Sequence, residues 1–115
     1  MRQRERQGAG RTVTGFACAK VLKAIADETR LRILQLLFRG ERSVGEIAQE
    51  LGLEQTHVSH HLAILRAARL VEEERRGKRV MNRLHPEVAT SFKGSSQLDL
   101  GCCIVQFRLD EPTKG

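Results

Sequence analysis

The chain has no tryptophan, no tyrosine and only four phenylalanines. Proteins that bind single-stranded nucleic acid stack successive bases on aromatic rings, so that mode of recognition is poorly provided for. Also missing is any run of about 18 apolar residues, the length a membrane-spanning helix needs. The opening "MRQRERQGAGR" carries charge without the apolar core of a secretory leader, and a cytoplasmic protein with no membrane partner is expected. Cysteine is scarce: Cys18, Cys102 and Cys103, an odd number with two adjacent, fit a reducing compartment better than a disulfide scaffold. There is no nucleophile elbow, phosphate-binding glycine loop or close acid/base pair, so enzymatic activity is not expected.

What the chain does have is positive charge and helical periodicity. Its 20 lysines and arginines outnumber 14 acidic residues, for a formal net charge of +6 in 115 residues. Such an excess suits a polyanionic partner, although it also serves ordinary solubility. This length is expected to give one domain with a modest core, helped by a second copy.

The rest is organised around "SVGEIAQELGLEQTHVSHHLAILRAA". Ser43 and Glu46 have the spacing of a capping box, Val44, Ile47, Ala48 and Leu51 recur at helical period, and Gly52 ends that helix. A second helix is expected from about Gln55. Its inward stripe is Val58, Leu62 and Leu65, which leaves Gln55, Thr56, Ser59, His60 and Ala63 on or near the outer face. Hydrogen-bonding side chains on such a face suit insertion into a DNA major groove, and His57 near the helix start is a further candidate for a phosphate or base contact.

Residues 1–12 read as a flexible basic arm whose Arg2, Arg4, Arg6 and Arg11 either touch phosphate or stay solvated. From Val13 to Ile25, the positions Val13, Phe16, Ala17, Val21, Leu22, Ala24 and Ile25 make a broad apolar face, suited to packing on both the core and a second subunit. Asp27 caps the next helix, in which Leu31, Leu34, Leu37 and Phe38 are expected to point inward and Gly40 closes the element. Arg30 and Arg32 are read as solvated, with an internal ion pair or a DNA-backbone contact as the alternative for Arg30.

After the central helices the period changes. Leu70 and Val71 lead into one strand, Gly77 reverses the chain, and Val80 to Leu84 returns. Arg75, Arg76, Lys78 and Arg79 crowd around that glycine. They would repel one another unless a polyanion, or Glu72, Glu73 and Glu74, offset them. A short helix is expected from Pro86, broken by Gly94, Ser95 and Ser96. "LDLGCCIVQFRL" then reads as a strand, with Cys103, Val105, Phe107 and Leu109 on one side and Leu98, Leu100, Cys102 and Ile104 on the other. Its two apolar faces need cover from the same domain or a symmetry mate.

The phrases "LKAIADETRLRILQLL", "SVGEIAQELGL", "THVSHHLAILRAARLV" and "RRGKRVMNRL", in that order, resemble the ArsR/SmtB family of winged helix-turn-helix repressors. The expected fold is therefore mainly α with a β-hairpin, a winged helix-turn-helix over residues 13–92 that binds DNA and dimerises. A cysteine-containing tail, residues 93–115, would pack on that domain or on its dimer partner. The resemblance implies a dimeric repressor of double-stranded DNA with dyad symmetry, often released by a metal ion or a thiol-reactive signal. Carried over residue by residue, the recognition segment is Gln55, Thr56, Ser59 and His60, with the wing at Arg75 to Arg79. Three departures stand out. Glu54 replaces a frequent capping serine, and Arg69 replaces a frequent glycine, which suggests another end for that helix. The long last helix of the family stops short at Gly94.

The family's familiar metal sites are missing, since "RSVGEIAQEL" has no cysteine and only His85 follows the wing. No cofactor is required for DNA binding. If the tail returns to the first helix, Cys18, Cys102 and Cys103 could supply three thiolates to arsenite, copper(I) or mercury, with zinc or cadmium needing a fourth ligand such as His85 or water. A redox or persulfide switch joining Cys18 to Cys102 or Cys103, and simple burial of small apolar side chains, remain alternatives. His57, His60 and His61 have the spacing of a metal cluster that would compete with groove contacts, and His61 could instead pack against the wing. A ligand-independent winged-helix protein-interaction module is the reading from a different class.

Overall fold

The computed structural model describes residues 15–94 and 97–107, and the side chains from residue 18 onward. The basic arm at 1–12, Val13, Leu109 and the last residues lie outside the described part. The order of elements is α1 (Gly15–Ile25), α2 (Glu28–Arg39), β1 (Arg42–Ser43), α3 (Val44–Leu51), α4 (Gln55–Ala67), β2 (Val71–Arg76), β3 (Arg79–Leu84), α5 (Pro86–Ala89), β4 (Gln97–Asp99) and β5 (Ile104–Gln106).

Local chemistry sets most helix ends. The carboxylate of Asp27 accepts the Arg30 backbone N–H at 3.1 Å and starts α2. At α3 the capping box is complete: Ser43 Oγ accepts from the Glu46 N–H at 3.2 Å, and Glu46 Oε1 accepts from the Ser43 N–H at 2.8 Å. Gly52, at φ 70°, takes the left-handed turn that ends α3, and the Leu53 N–H reaches back to the Ala48 carbonyl. Glu54 gives α4 no side-chain cap.

The other end of α4 corrects an expectation. Arg69 does not force a different termination; it adopts the left-handed conformation itself, at φ 63°. The Arg69 N–H bonds to the Arg66 carbonyl and the Leu70 N–H to the Leu65 carbonyl, the paired bonds of a Schellman ending. Leu65 and Leu70 are buried on either side of that turn, so packing holds the strained residue in place.

The helices enclose one core. Ile33, Leu34, Ile47, Val58, Leu62 and Leu65 are almost entirely removed from water, and each such side chain stabilises the fold by about 1.5–3 kcal/mol. Phe38, expected inside, is instead 37% exposed and stacks on Phe92 at 4.9 Å between ring centroids, while Ile33 and Leu36 take inward positions. The helix turns Phe38 past the edge of the stripe, towards the tail.

The wing has three strands in the order β1-β3-β2, all antiparallel. The two-residue β1 was not expected from the sequence, because Arg42 and Ser43 carry no strand pattern of their own. Fully buried Asn82 fastens it from β3, donating its side-chain N–H to the Arg42 carbonyl at 3.2 Å.

The tail departs most from expectation. "LDLGCCIVQF" is not one strand but a small hairpin, β4 paired with β5 in antiparallel register. Gly101, at φ 88°, makes the reversal; its N–H donates to Asp99 Oδ1, and the Leu100 N–H bonds to the Cys103 carbonyl. The reversal also breaks the expected two-sided alternation. Leu98 is fully buried, whereas Ile104, assigned to the same side, is 60% exposed. The short α5 starts at Pro86 as expected and ends at Ala89, and Phe92 then bridges to Leu98.

Candidate nucleic-acid interface and thiol cluster

The buried stripe of α4 fixes what its other side presents. With Val58, Leu62 and Leu65 inside, Gln55, Thr56, His57, Ser59, His60 and Ala63 are all exposed. The polar face expected from helical spacing is thus formed by one continuous 13-residue helix. Its first turn carries no side-chain cap, so amide N–H groups there remain available to a phosphate.

His61 faces the other way. Its Nδ1 lies 3.1 Å from Arg30 Nη1 and 3.9 Å from Asp27 Oδ2, so it meets the start of α2 and not the wing. Arg30 also donates through Nε to the Ala24 carbonyl and is an internal strut, not simply solvated. An arginine can only donate, so His61 accepts at Nδ1 and is neutral in this arrangement. Burial is the main cause holding its pKa below the ordinary histidine value; Asp27 opposes that shift, and Arg30, His60 and His57 add to it. Among the described residues, the three histidines 57, 60 and 61 do not come together as a metal-binding group.

At the wing, Arg75, Arg76, Lys78 and Arg79 are all exposed near the Gly77 turn, but they are not equivalent. Arg76 is bidentate on Glu41, at 2.6 and 3.1 Å, and also reaches Glu74 at 3.0 Å. Arg79 pairs with Glu46 at 3.2 Å. Arg83 is held by Glu72 at 2.9 Å and by Glu74. These bonds raise the Arg76 and Arg83 pKa values and lower that of Glu74. Arg75 and Lys78 form no ion pair with the described residues. The sequence suggested Glu72, Glu73 and Glu74 as offsetting charges; Glu73 instead pairs with Arg66 of α4, and Glu41 and Glu46 were missed as wing partners. Glu46 was legible only as a cap, and Glu41 had no local signal at all.

The three cysteines do meet, although Cys18 is 84 and 85 residues from the adjacent pair. Cys18 on α1 is bonded to Cys102, with Cα atoms 6.3 Å apart, and the free Cys103 thiol lies 3.9 Å from each of the two bonded sulfurs. A disulfide is therefore present, joining a pair that the redox alternative named although the scarcity of cysteine pointed to a reducing compartment. The turn at Gly101 explains how both vicinal cysteines face α1, since they lie in the reversal and do not alternate along a strand. This is the one group of three or more metal-capable side chains that converges among the described residues. A tetrahedral ion about 2.3 Å from each sulfur would hold the sulfurs about 3.8 Å apart. Two edges of the triangle match; the third is closed by the disulfide and opens only on reduction. His85 is not in the group, and its Nδ1 instead accepts the Glu87 N–H at the start of α5.

A capped helix, a turn, a second helix with a polar outer face and a basic hairpin behind it define a winged helix-turn-helix regulator. The sequence profile described as "Bacterial regulatory protein, arsR family" matches residues 27–73. The chain is 46% identical over 69 residues to the arsenic resistance transcriptional regulator ArsR1 of Pseudomonas putida, covering 59% of this chain and 54% of that one. It is 38% identical over 68 residues to the transcriptional repressor SdpR of Bacillus subtilis, covering 59% of this chain and 76% of that one. The homodimeric winged helix-turn-helix DNA-binding domain of a Mycobacterium bovis protein superposes with a TM-score of 0.63 at 41% identity, covering 65% and 70% of the two chains. HlyU of Vibrio cholerae superposes with a TM-score of 0.61 at 39% identity, covering 65% and 83%. The chain belongs to the arsR family of bacterial regulatory proteins. It spans about half the length of ArsR1, and the likeness to both curated relatives covers 59% of this chain.

Proposed function

We propose that this chain is a homodimeric, sequence-specific repressor of transcription that binds double-stranded DNA in the cytoplasm. The observation that carries this reading is the exposed polar face of α4, backed by a fully buried apolar stripe, together with the exposed wing cations Arg75 and Lys78, which form no ion pair with the described residues. Dimerisation is supported by the homodimeric Mycobacterium bovis domain and by Leu22, left 38% exposed on α1. A twofold would set two α4 helices about 34 Å apart on a dyad-symmetric site. In this reading residues 13–92 bind DNA and dimerise, residues 1–12 form a basic arm, and 93–115 form the sensing tail.

The test is binding of the chain to its own upstream DNA and to a scrambled duplex of equal length. Ser59→Ala and His60→Ala are expected to lower discrimination by about 1–3 kcal/mol each if they read bases. Equal losses on both duplexes would assign them to phosphate contacts, and no preference for either duplex would favour a protein-interaction module.

Effector release is assigned to Cys18, Cys102 and Cys103. As thiolates they form a site for arsenite or a soft ion such as copper(I) or mercury, with zinc or cadmium needing a further ligand. ArsR1 of Pseudomonas putida is an arsenic resistance regulator, and a relative from Streptomyces lividans is a probable mercury resistance operon repressor, which supports this class of effector. The Cys18–Cys102 bond favours a second reading, a thiol-redox switch. Release of reduced protein from DNA by arsenite, abolished in C102S/C103S, selects the first; release by oxidation alone selects the second.

A further inference from the structure

One face of the wing gathers charges of both signs. Antiparallel register places Glu72 opposite Arg83, Glu74 opposite Met81 and Arg76 opposite Arg79, so the charged residues of these pairs share a face. Glu41 and Glu46 reach the same face from outside the hairpin, the first from the segment before β1 and the second from the first turn of α3. Arg76 takes both oxygens of Glu41, the fork geometry with which arginine also holds a phosphate. Glu46 divides its two oxygens: Oε1 closes the α3 capping box and Oε2 holds Arg79. Two of the four basic residues at the wing tip thus already have carboxylates on their guanidinium groups.

We propose that Glu41 and Glu46 are built-in competitors of the DNA backbone, which Arg76 and Arg79 must exchange for phosphate, so that the clamp holds down affinity for non-operator duplex. The proposal rests on the DNA-binding reading above. These ion pairs are half-exposed, with Arg76 and Glu41 side chains at 48% and 32% and Arg79 and Glu46 at 59% and 44%, so exchange is within reach of an approaching polyanion. Non-specific binding draws on every free cation at the surface. A site docked by α4 has base contacts to offset the exchange, and a random site has none. Arg75 and Lys78 carry the first electrostatic contact; Arg76 and Arg79 join only once the duplex is held closely.

The test is a double-mutant cycle on the full-length reduced protein with a mixed-sequence 40-base-pair duplex, titrated between 50 and 200 mM salt. Glu41 is used because it has no part in a helix cap, and thermal melting checks that the variants remain folded. E41Q is expected to bind about three- to fivefold more tightly, with a salt slope steeper by about 0.9 for the phosphate gained. R76A is expected to cost less than about twofold in the parent but about fivefold in E41Q. The steeper slope should vanish in E41Q/R76A. If E41Q gives the same gain with and without Arg76, removal of a negative charge accounts for it and the clamp is overturned. Weaker binding by E41Q overturns it as well, by making Glu41 a support of the wing. A parent protein that binds neither this duplex nor its own upstream DNA at 50 mM salt takes down the DNA-binding reading itself. That failure is distinct from the other two, in which the parent binds.

Discussion

The body of this molecule, from α2 to β3, and its tail, from α5 to Phe107, are held by different means. The body closes on a shared core in which Ile33, Leu34, Ile47, Val58, Leu62 and Leu65 are essentially dry, and its helix ends are set by neighbours within a few residues. The tail contributes Phe92, Leu98 and Phe107 to that core, but its strands are three residues each, and the covalent tie to α1 is the Cys18–Cys102 bond. Under the proposed function, the body is the platform for recognition and the tail is the segment that carries the sulfur chemistry.

The largest expected effect separates the two regions directly. The bond closes a sequence separation of 84 residues, which in the chain-entropy account constrains the unfolded chain by about 4.5 kcal/mol at most. Reduction should strip hydrogen-exchange protection from the Asp99 and Leu100 amides, which bond to the Ser91 and Cys103 carbonyls, and leave α4 amides much less changed. Equal loss in α4 and β4 would make body and tail one cooperative unit and dissolve the comparison.

A smaller effect belongs to the body. Arg69→Gly removes a side chain from a left-handed backbone position and should stabilise the body by about 0.5–1 kcal/mol, read as a higher urea midpoint with unchanged slope. A lower midpoint would mean that the arginine side chain holds the end of α4 by contacts outweighing its strain.

The smallest sharpens the link between α2 and α4. The folded pKa of His61 lies below its unfolded value, so folding favours the neutral ring. Its contribution is fully present above the unfolded value of about 6.5 and is lost as pH falls through that value towards the folded one. Urea midpoints at pH 7.5 and 5.5 should therefore differ less for His61→Gln than for the parent. An unchanged difference would place the acid sensitivity elsewhere.

The physical range of an interaction decided how far the sequence could be read. Capping at Asp27 and Ser43, the left-handed turn at Gly52, the inward stripe of α4 and the reversal at Gly77 all depend on residues at most a few positions apart. Their spacing alone placed the helices, the wing and the outward face carrying Gln55, Thr56, Ser59 and His60. Gly101 lies beside the cysteines, yet the alternating apolar pattern around it outweighs the glycine and conceals a hairpin. Other features had no local signature. That Cys18 meets Cys102, that Arg76 is claimed by Glu41 thirty-five positions away, and that Arg30 turns inward to His61 follow from which surfaces the core brings together. A side chain's capacity to bond is written in its residue type, but its partner across the chain is chosen by packing, and only the tertiary structure made those choices.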